Sequence, residues 1–268
     1  MLAAAGAAAI VYALTASTSR WRLTWEQEFT GPRGARPDPR AWVYDLGGGQ
    51  WGNQEWEYYT DRPENVSLDG HGDLAISAVR EQLPGMTPCE FGPCDITSGR
   101  ITTKGRFAQA YGLFEARIKV PSGSGLWPAF WMLGNLPGQP PWPTSGEIDA
   151  MEVLGRYPMT VYGTVHGPGF VDPGIGGHLT LKSRALADAF HVYGVQWSPR
   201  AVTWLFDGRP YFRFLRSQLR AGQAWPFDHP FYLILDLAVG GTEPGTPTAA
   251  TRFPARMLVS WVRVYEPS

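Results

Sequence analysis

The sequence has little charge of either sign and no excess of one over the other. Its 268 residues include 23 Lys and Arg and 24 Asp and Glu, a formal net charge of −1. Nucleic acids and anionic membrane surfaces favour clustered basic residues, so this balance argues against both as partners. It fits a neutral partner better. A chain of this length can bury a sizeable core, as one large β domain or two small ones.

Cysteine is equally scarce, with only Cys89 and Cys94 in the segment PCEFGPC. Two residues are too few for a structural zinc site, which takes four ligands. In an exported protein they would instead close a small disulfide loop. Two free thiols are the alternative.

Long hydrophobic runs are also missing, since the apolar run at residues 2–14 is too short to span a bilayer. Residues 1–20 resemble the apolar region of a signal peptide, with a small-residue stretch at 16–19 suited to cleavage. No Lys or Arg precedes the run, so an uncleaved membrane anchor and a misplaced start codon are alternatives. We predict a signal-like or anchor segment at 1–20 and a secreted protein.

Glycine and proline are abundant, at 32 and 24 residues, and they divide the chain into short segments. Those segments alternate between apolar and polar residues, as at 111–120, 232–239 and 259–265. Asp207-Gly208 is a hairpin turn signal between two such segments. Only 183–190 and 217–222 suit short helical turns. The pattern predicts an all-β sandwich or barrel, in a single domain over 21–268, whose curved sheet offers a concave face to an elongated polymer.

Tryptophan is unusually frequent, with 12 residues. One interpretation is a tryptophan-rich core. The other is a set of flat indole platforms for pyranose rings.

The segment SGEIDAMEVLG at 145–155 places Glu147, Asp149 and Glu152 on one predicted strand. Alternate residues of a regular strand share a face, so Glu147 and Asp149 lie together but Glu152 does not. One inserted residue, a β-bulge, would return Glu152 to that face, and bulges recur beside active sites.

Two carboxyl groups on one strand face suit glycoside hydrolysis with retention, in which one attacks the anomeric carbon and the other protonates the leaving oxygen. Asp149 would form a hydrogen bond to the nucleophile, and its negative charge would help keep the acid protonated through like-charge repulsion. A solvated acidic strand face is one alternative. A metal site made by the three acids and His166 is another.

From residue 21 to 266 the chain resembles glycoside hydrolase family 16, in its laminarinase-like (endo-β-1,3-glucanase) branch. Six motifs in the family's order carry the resemblance: WGNQE at 51–55, TSGRI at 97–101, LWPAFWML at 126–133, GEIDAME at 146–152, GTVHGPG at 163–169 and LDLAVGG at 235–241.

The resemblance implies a concanavalin A-like β-jelly roll with a glucan cleft across its concave sheet. It implies Glu147 as nucleophile, Asp149 as its helper and Glu152 as acid/base, in a retaining endo-β-1,3-glucanase. It also implies sugar stacking by Trp127 and Trp131, while Trp142 edges the cleft. The implied substrate-binding residues are therefore Asn53, Arg100, Trp127, Trp131, Trp142 and His166. For His166 alone, a structural histidine is the alternative.

Two positions depart from the family's pattern. Asp236 stands where laminarinases often have Asn, so the contact that the Asn makes with the substrate is not expected to carry over unchanged. Ser260 replaces an Asp that binds the family's structural calcium, so we expect calcium binding to be weak or absent and no cofactor to serve catalysis.

We expect a monomer. Alternative activities are hydrolysis of mixed-linkage β-1,3-1,4-glucan or of a galactan, and transglycosylation; non-catalytic glucan recognition is disfavoured because all three acids are present.

Overall fold

A computed structural model describes residues 21–49, 51–86, 91–93, 95–134, 138 and 140–268. The predicted signal-like segment at 1–20, and with it the export prediction, lies outside these residues. So do Cys89 and Cys94, so the predicted disulfide is not described either. The described chain folds almost entirely into β-strands, arranged in two sheets.

The larger sheet has ten strands, in the order β15, β14, β13, β8, β17, β5, β6, β3, with β1 beside β17 and β4 beside β5. Its neighbours are antiparallel except for the parallel pair β3 and β6. The strands are β1 (Trp21–Glu28), β3 (Tyr58–Tyr59), β4 (Val66–Leu68), β5 (Leu74–Arg80), β6 (Ile96–Ser98), β8 (Gly112–Lys119), β13 (His191–Ser198), β14 (Ala201–Phe206), β15 (Arg209–Leu215) and β17 (Ala255–Pro267).

The smaller sheet has seven strands, in the order β12, β11, β10, β9, β16, β7, β2. The acidic segment forms β10, inside the sheet between β11 and β9. The strands are β2 (Val43–Tyr44), β7 (Arg100–Thr102), β9 (Leu126–Gly134), β10 (Glu147–Glu152), β11 (Thr160–Gly167), β12 (Phe170–Thr180) and β16 (Phe231–Val239).

The two sheets pack face to face around one apolar core, which alternate residues of both sheets fill. Strand β8 shows the pattern, since Phe114, Ala116 and Ile118 are fully buried in this core. Asp207 and Gly208 have φ values of 48° and 72° and join β14 to β15, as the hairpin signal predicts. The predicted all-β sandwich is confirmed.

Tryptophans divide between the two roles that the sequence allowed. Trp42, Trp197, Trp204 and Trp225 belong to the core. Others lie on the face of the seven-stranded sheet that points away from the core, here called the outer face. The interpretation as a tryptophan-rich core is confirmed for these four residues, and the interpretation as sugar platforms stays a prediction for the tryptophans of the outer face.

Short helical turns occupy Leu186–Asp188 and Arg216–Gln218, within or beside the two segments predicted for them. Both are 3-10 turns of three residues. In the part of the chain that the structure describes, no helix has the length and apolar content needed to cross a membrane.

Candidate active site

The three acids of β10 share the outer face because the strand contains a bulge. Glu147 pairs with His166 on β11, and Glu152 pairs with Tyr162 on the same strand. The two acids are five residues apart on β10, but their partners are only four residues apart on β11. On β9 the same two acids pair with Leu133 and Ala129, again four steps apart. The extra residue lies after Asp149. This confirms the predicted bulge, and it places Glu152 on the face that carries Glu147.

The opposite side of β10 faces the core. Ile148, Ala150 and Met151 are all buried there. Two consecutive residues, Ala150 and Met151, therefore point inward, which is the local signature of an inserted residue. Hydrophobic burial on one side and acids on the other fix the strand in this register.

Glu147 lies beside a histidine and a tryptophan. Its Oε1 is 3.9 Å from His166 Nε2, and Trp142 donates a side-chain hydrogen bond to its carboxylate. Trp142 is 48% exposed, so it lies at the solvent edge of this group, and its predicted role at the edge of a substrate cleft stays a prediction. The Glu147 carboxylate is thus held from two sides.

Glu152 is held by two donors. The indole Nε1 of Trp127 donates to its Oε1 over 3.1 Å, and the Thr164 hydroxyl donates to its Oε2 over 3.3 Å. Trp127 therefore contacts the proposed acid directly, in addition to any stacking role. Thr164 was not singled out by the sequence, although it lies two residues before His166 and so shares its strand face.

Asp149 lies between the two glutamates and is 3% exposed. His166 Nε2 is 3.3 Å from its Oδ2. On the other side of the imidazole, Nδ1 donates to the Val171 carbonyl oxygen at 2.8 Å. The histidine therefore links the acidic strand to the start of β12.

Electrostatics of this group follow from burial and close charges. Burial raises the pKa of Glu147 and of Asp149, and the neighbouring Asp149 charge raises that of Glu147 further. Burial also raises the pKa of Glu152 to about 7, against the opposing effect of the His166 charge. Burial alone would lower the pKa of His166, but the Asp149 hydrogen bond and the Asp149 and Glu147 charges raise it to about 10.

These shifts set the protonation at neutral pH. His166 is a cation, which balances one negative charge shared by its two acidic neighbours. Glu152, with a pKa of about 7, holds its proton for much of the time. Burial raises the pKa of Glu147 to about 8, so Asp149, with a pKa of about 6, is the acid that ionises first. The expected nucleophile role of Glu147 therefore depends on its position in the motif and on the nearby His166 cation, which lowers its pKa.

Trp131 forms a second cluster on the outer face, beside β10. Its Nε1 donates to Asp236 Oδ1 over 2.7 Å, and the Tyr59 hydroxyl donates to Oδ2 of the same aspartate over 3.1 Å. Asp236 is buried on β16. The residue noted as a departure from the family's pattern therefore fixes the orientation of the predicted sugar platform.

Arg100 is stacked between two indole rings. Its guanidinium carbon lies 4.6 Å from the ring centroid of Trp51 and 4.7 Å from that of Trp131. Its Nε donates to Asp45 Oδ2 over 2.9 Å. Only 8% of Arg100 is exposed. Its predicted contact with sugar is not tested, and its visible contacts support the tryptophans instead.

Asn53 lies in the loop before β3, exposed and with a positive φ of 52°. Its side chain donates to Glu55 over 3.4 Å, and its carbonyl oxygen accepts from the Thr242 backbone. Glu55 and Glu57 are buried below the loop. Burial raises the pKa of both, that of Glu57 to about 7. Neither acid was among the predicted site residues, although Glu55 ends the motif at 51–55.

A metal site was an alternative for this cluster. Ligand atoms of Glu147, Asp149 and His166 lie within 4.8 Å of one another. In the metal-free protein the pKa of His166 is raised to about 10, so a metal ion would have to displace the imidazole proton in order to bind. The metal alternative is not tested by these contacts.

Ser260 lies far along the chain on β17, where the pairing with β8 shifts register. Its hydroxyl donates a hydrogen bond to Asp73. The expected weak or absent calcium site is not tested by these contacts and stays a prediction.

Two stacked β-sheets with a bulged strand carrying paired carboxyl groups define the class of the protein as a glycoside hydrolase. The family model "Glycosyl hydrolases family 16" matches residues 52–263. The chain belongs to this family.

Similar proteins agree with this assignment. The chain is 41% identical over 256 residues to the "Beta-glucanase" of Rhodothermus marinus, covering 91% of this chain and 85% of that one. The laminarinase catalytic domain from Thermotoga maritima has a TM-score of 0.85 and 43% identity, covering 92% and 99%. The endo-beta-1,3-glucanase from Pyrococcus furiosus also has a TM-score of 0.85 and 43% identity, covering 92% and 95%.

Replacing Trp131 with alanine tests the platform. We expect a loss of about 1–3 kcal/mol in transition-state binding, measured as kcat/KM, because the sugar loses its ring contact. Trp131→Phe keeps a flat ring and should recover most of that loss. If a folded Trp131→Ala protein loses less than about threefold in kcat/KM, Trp131 serves only as a structural partner of Asp236 and Arg100 and not as a sugar platform. The same comparison applies to Trp127.

Proposed function

We propose that the protein is an endo-β-1,3-glucanase that hydrolyses β-1,3-glucans with retention of configuration. Glu147 is the nucleophile and Glu152 is the acid/base. The observation that carries the proposal is the bulge after Asp149, which brings both glutamates to one face with separate hydrogen-bond donors. The glucanase and laminarinase names of the three similar proteins support the substrate.

Hydrolysis proceeds by two displacements. Glu147 attacks the anomeric carbon while Glu152 gives its proton to the leaving oxygen, which forms a covalent glycosyl-enzyme. Glu152, now a carboxylate, then takes a proton from the water that releases the sugar. The raised pKa of Glu152, about 7, lets it hold the proton that the first step needs.

Different residues surround Glu147 and Glu152, and they affect the two carboxyl groups in different ways. Asp149 and the His166 cation lie beside Glu147. Glu147 ionises more readily beside a cation, so the histidine favours the attacking carboxylate. The indole of Trp127 and the hydroxyl of Thr164 orient Glu152 toward the leaving oxygen.

Proton NMR of the first product tests the mechanism. Two displacements at one carbon restore its configuration. With β-1,3-glucan whose reducing end has been reduced, the newly formed reducing end should therefore appear first as the β-anomer. Initial appearance of the α-anomer would mean inversion and would exclude Glu147 as a covalent nucleophile. Absence of any release from a folded protein would reject the hydrolase itself.

The pH profile should respond to Thr164→Val. The Thr164 hydrogen bond lowers the pKa of Glu152, so its loss raises that pKa further. Activity needs protonated Glu152 and is lost as pH rises through its pKa, so the basic limb of kcat/KM should move to higher pH. Thr160→Val, on the same strand, removes a hydroxyl that pairs with Thr180 instead. It should leave the limb in place. A fixed limb in Thr164→Val would argue that Glu152 is not the acid.

Product profiling on laminarin, lichenan, agarose and curdlan separates the remaining activities. A β-1,3-glucanase should act on laminarin and curdlan. Faster cleavage of lichenan would make mixed-linkage glucan the better substrate, and cleavage of agarose would indicate a galactanase. Longer products with an added acceptor sugar would reveal transglycosylation.

We also propose that the enzyme is a secreted monomer that needs no metal ion for catalysis. The apolar run at residues 2–14 supports export. Glycoside hydrolysis by two carboxyl groups needs no metal ion, which supports metal-free chemistry. The near-zero net charge supports a neutral polysaccharide as partner.

A further inference from the structure

The bulge in β10 has a partner on the other sheet. Trp204, on β14, is fully buried in the core. Its indole Nε1 crosses the sandwich and donates to the backbone carbonyl oxygen of Asp149 over 2.7 Å. The carbonyl group that accepts this bond stands immediately before the inserted residue. A side chain of the ten-stranded sheet therefore holds the backbone of the acidic strand where its register changes.

The strand opposite the bulge makes room for this indole. Gly163, on β11, lies between Tyr162 and Thr164, the partners of Glu152 and Asp149. A Cβ atom at Gly163 would lie 2.1 Å from Cδ1 of Trp204. Any side chain there would displace the ring. The glycine and the indole thus form one packed unit under the bulge.

A bulge interrupts the regular ladder of hydrogen bonds, and a buried carbonyl group without a partner is unfavourable. The indole N–H supplies a partner at this point. It also favours the bulged strand over the regular one. In a regular strand, alternation would turn Glu152 toward the core and Met151 toward the outer face.

We propose that Trp204 is a positioning residue for catalysis, which fixes the bulge and so sets Glu152 beside Glu147. The inference rests on the proposed roles of these two glutamates. Trp204 does not touch the outer-face acids through their side chains, and it acts through the Asp149 backbone. Gly163 contributes by leaving the space that the Trp204 indole occupies beneath the bulge.

Comparing two tryptophan variants tests the proposal. Trp204→Phe keeps an aromatic ring in the core and removes the N–H donor. Trp197→Phe is the matched control, because Trp197 is also buried, lies on the adjacent strand β13, and donates its Nε1 to the Phe227 carbonyl oxygen over 3.1 Å. Both variants lose one buried indole-to-carbonyl hydrogen bond, so both should lower the melting temperature by similar amounts.

Only Trp204→Phe should impair the chemical step. We expect its kcat on β-1,3-glucan to fall on the order of 10- to 100-fold, since small misplacements of catalytic groups have effects of this size. KM should change by less than about threefold, because the sugar platforms stay in place. Equal kcat values in the two variants would overturn the proposal. An inactive wild-type protein would instead reject the proposed function.

Gly163→Ala approaches the same contact from the other side. Its Cβ pushes the indole away, so kcat should fall while KM holds. This variant decides the question if Trp204→Phe does not reach the native near-UV circular dichroism spectrum. A Gly163→Ala protein that folds with wild-type kcat would contradict the proposal.

The wild-type protein offers a further measurement by NMR. The Trp204 indole N–H resonance should move with pH as Glu147, Asp149, Glu152 and His166 titrate, because it is bonded to the backbone of that group. The Trp197 resonance should stay constant over the same range. Two equally constant resonances would show that the indole does not sense the acidic strand, and would count against the proposal whether or not the variants fold.

Discussion

Replacing Glu147 with glycine is expected to lower kcat by at least about 10⁴-fold, because the reaction loses its nucleophile. The shortened side chain leaves a hole between His166 and Trp142, beside the anomeric carbon. Azide can enter this hole and attack from the nucleophile's side. With an activated substrate the product should be an α-glycosyl azide, identified by NMR.

The Glu152→Gly variant should behave differently. It retains Glu147, so an activated substrate that needs no acid still forms the covalent intermediate. Azide then attacks that intermediate from the opposite side and gives the β-glycosyl azide. On substrates with a poor leaving group, kcat should fall by on the order of 10²- to 10⁴-fold.

Glu147→Gln is the matched control for the first variant. It keeps the size of the side chain, so it loses the nucleophile without opening a hole, and azide should not restore activity. Anomers opposite to those expected would show that the roles of Glu147 and Glu152 are reversed. Azide rescue in neither glycine variant would argue that the two carboxyl groups are not the reacting pair.

The placement of these acids was predictable because strand alternation is a local property. Glu147 and Asp149 are two residues apart, and Glu152 reaches their face with one inserted residue. The hairpin at Asp207-Gly208 was predictable for the same reason, since its turn depends on two adjacent residues. The spacing of the acids and the two turn residues are both visible in a few adjacent positions, although the bulge itself is also bonded by Trp204 from the other sheet.

The supporting contacts were not predictable from local pattern. Arg100 binds Asp45, which is 55 positions away, and Tyr59 donates to Asp236 across 177 positions. Both contacts depend on which strands become neighbours in the sheet. Arg100 illustrates the consequence, because its guanidinium lies against the rings of Trp51 and Trp131, contacts that its own motif does not indicate. Trp204 is a further case, since its partner lies on the opposite sheet.

The second large effect is expected from Asp149→Asn. The variant keeps the shape of the side chain and removes one negative charge from the centre of the acidic group. The Asp149 hydrogen bond and charge raise the pKa of His166, so in the variant that pKa should fall below about 10. NMR titration of the imidazole measures this. We expect kcat to fall on the order of 100-fold, because the arrangement of proton donor and nucleophile is disturbed.

The pH profile of this variant should move as a whole. The Asp149 charge raises the pKa of Glu147. The Glu152 charge raises the pKa of Asp149, and the same repulsion between like charges disfavours ionised Glu152. Without the charge, Glu147 ionises at lower pH, so the acid limb moves down. Glu152 also gives up its proton at lower pH, so activity is lost earlier as pH rises. Both limbs should therefore shift toward acid.

Asp236→Asn provides the matched control for the shift. Asp236 is also a buried aspartate on the outer face, but its carboxylate accepts from Trp131 and Tyr59 rather than contacting the catalytic group. Loss of the Asp236 charge should disturb the Trp131 platform and raise KM, while the acid and basic limbs of the pH profile stay in place. Equal shifts in both variants would mean that any lost charge on this face moves the profile. Unchanged kinetics in Asp149→Asn would make Asp149 a bystander, and the His166 ion pair a structural contact only.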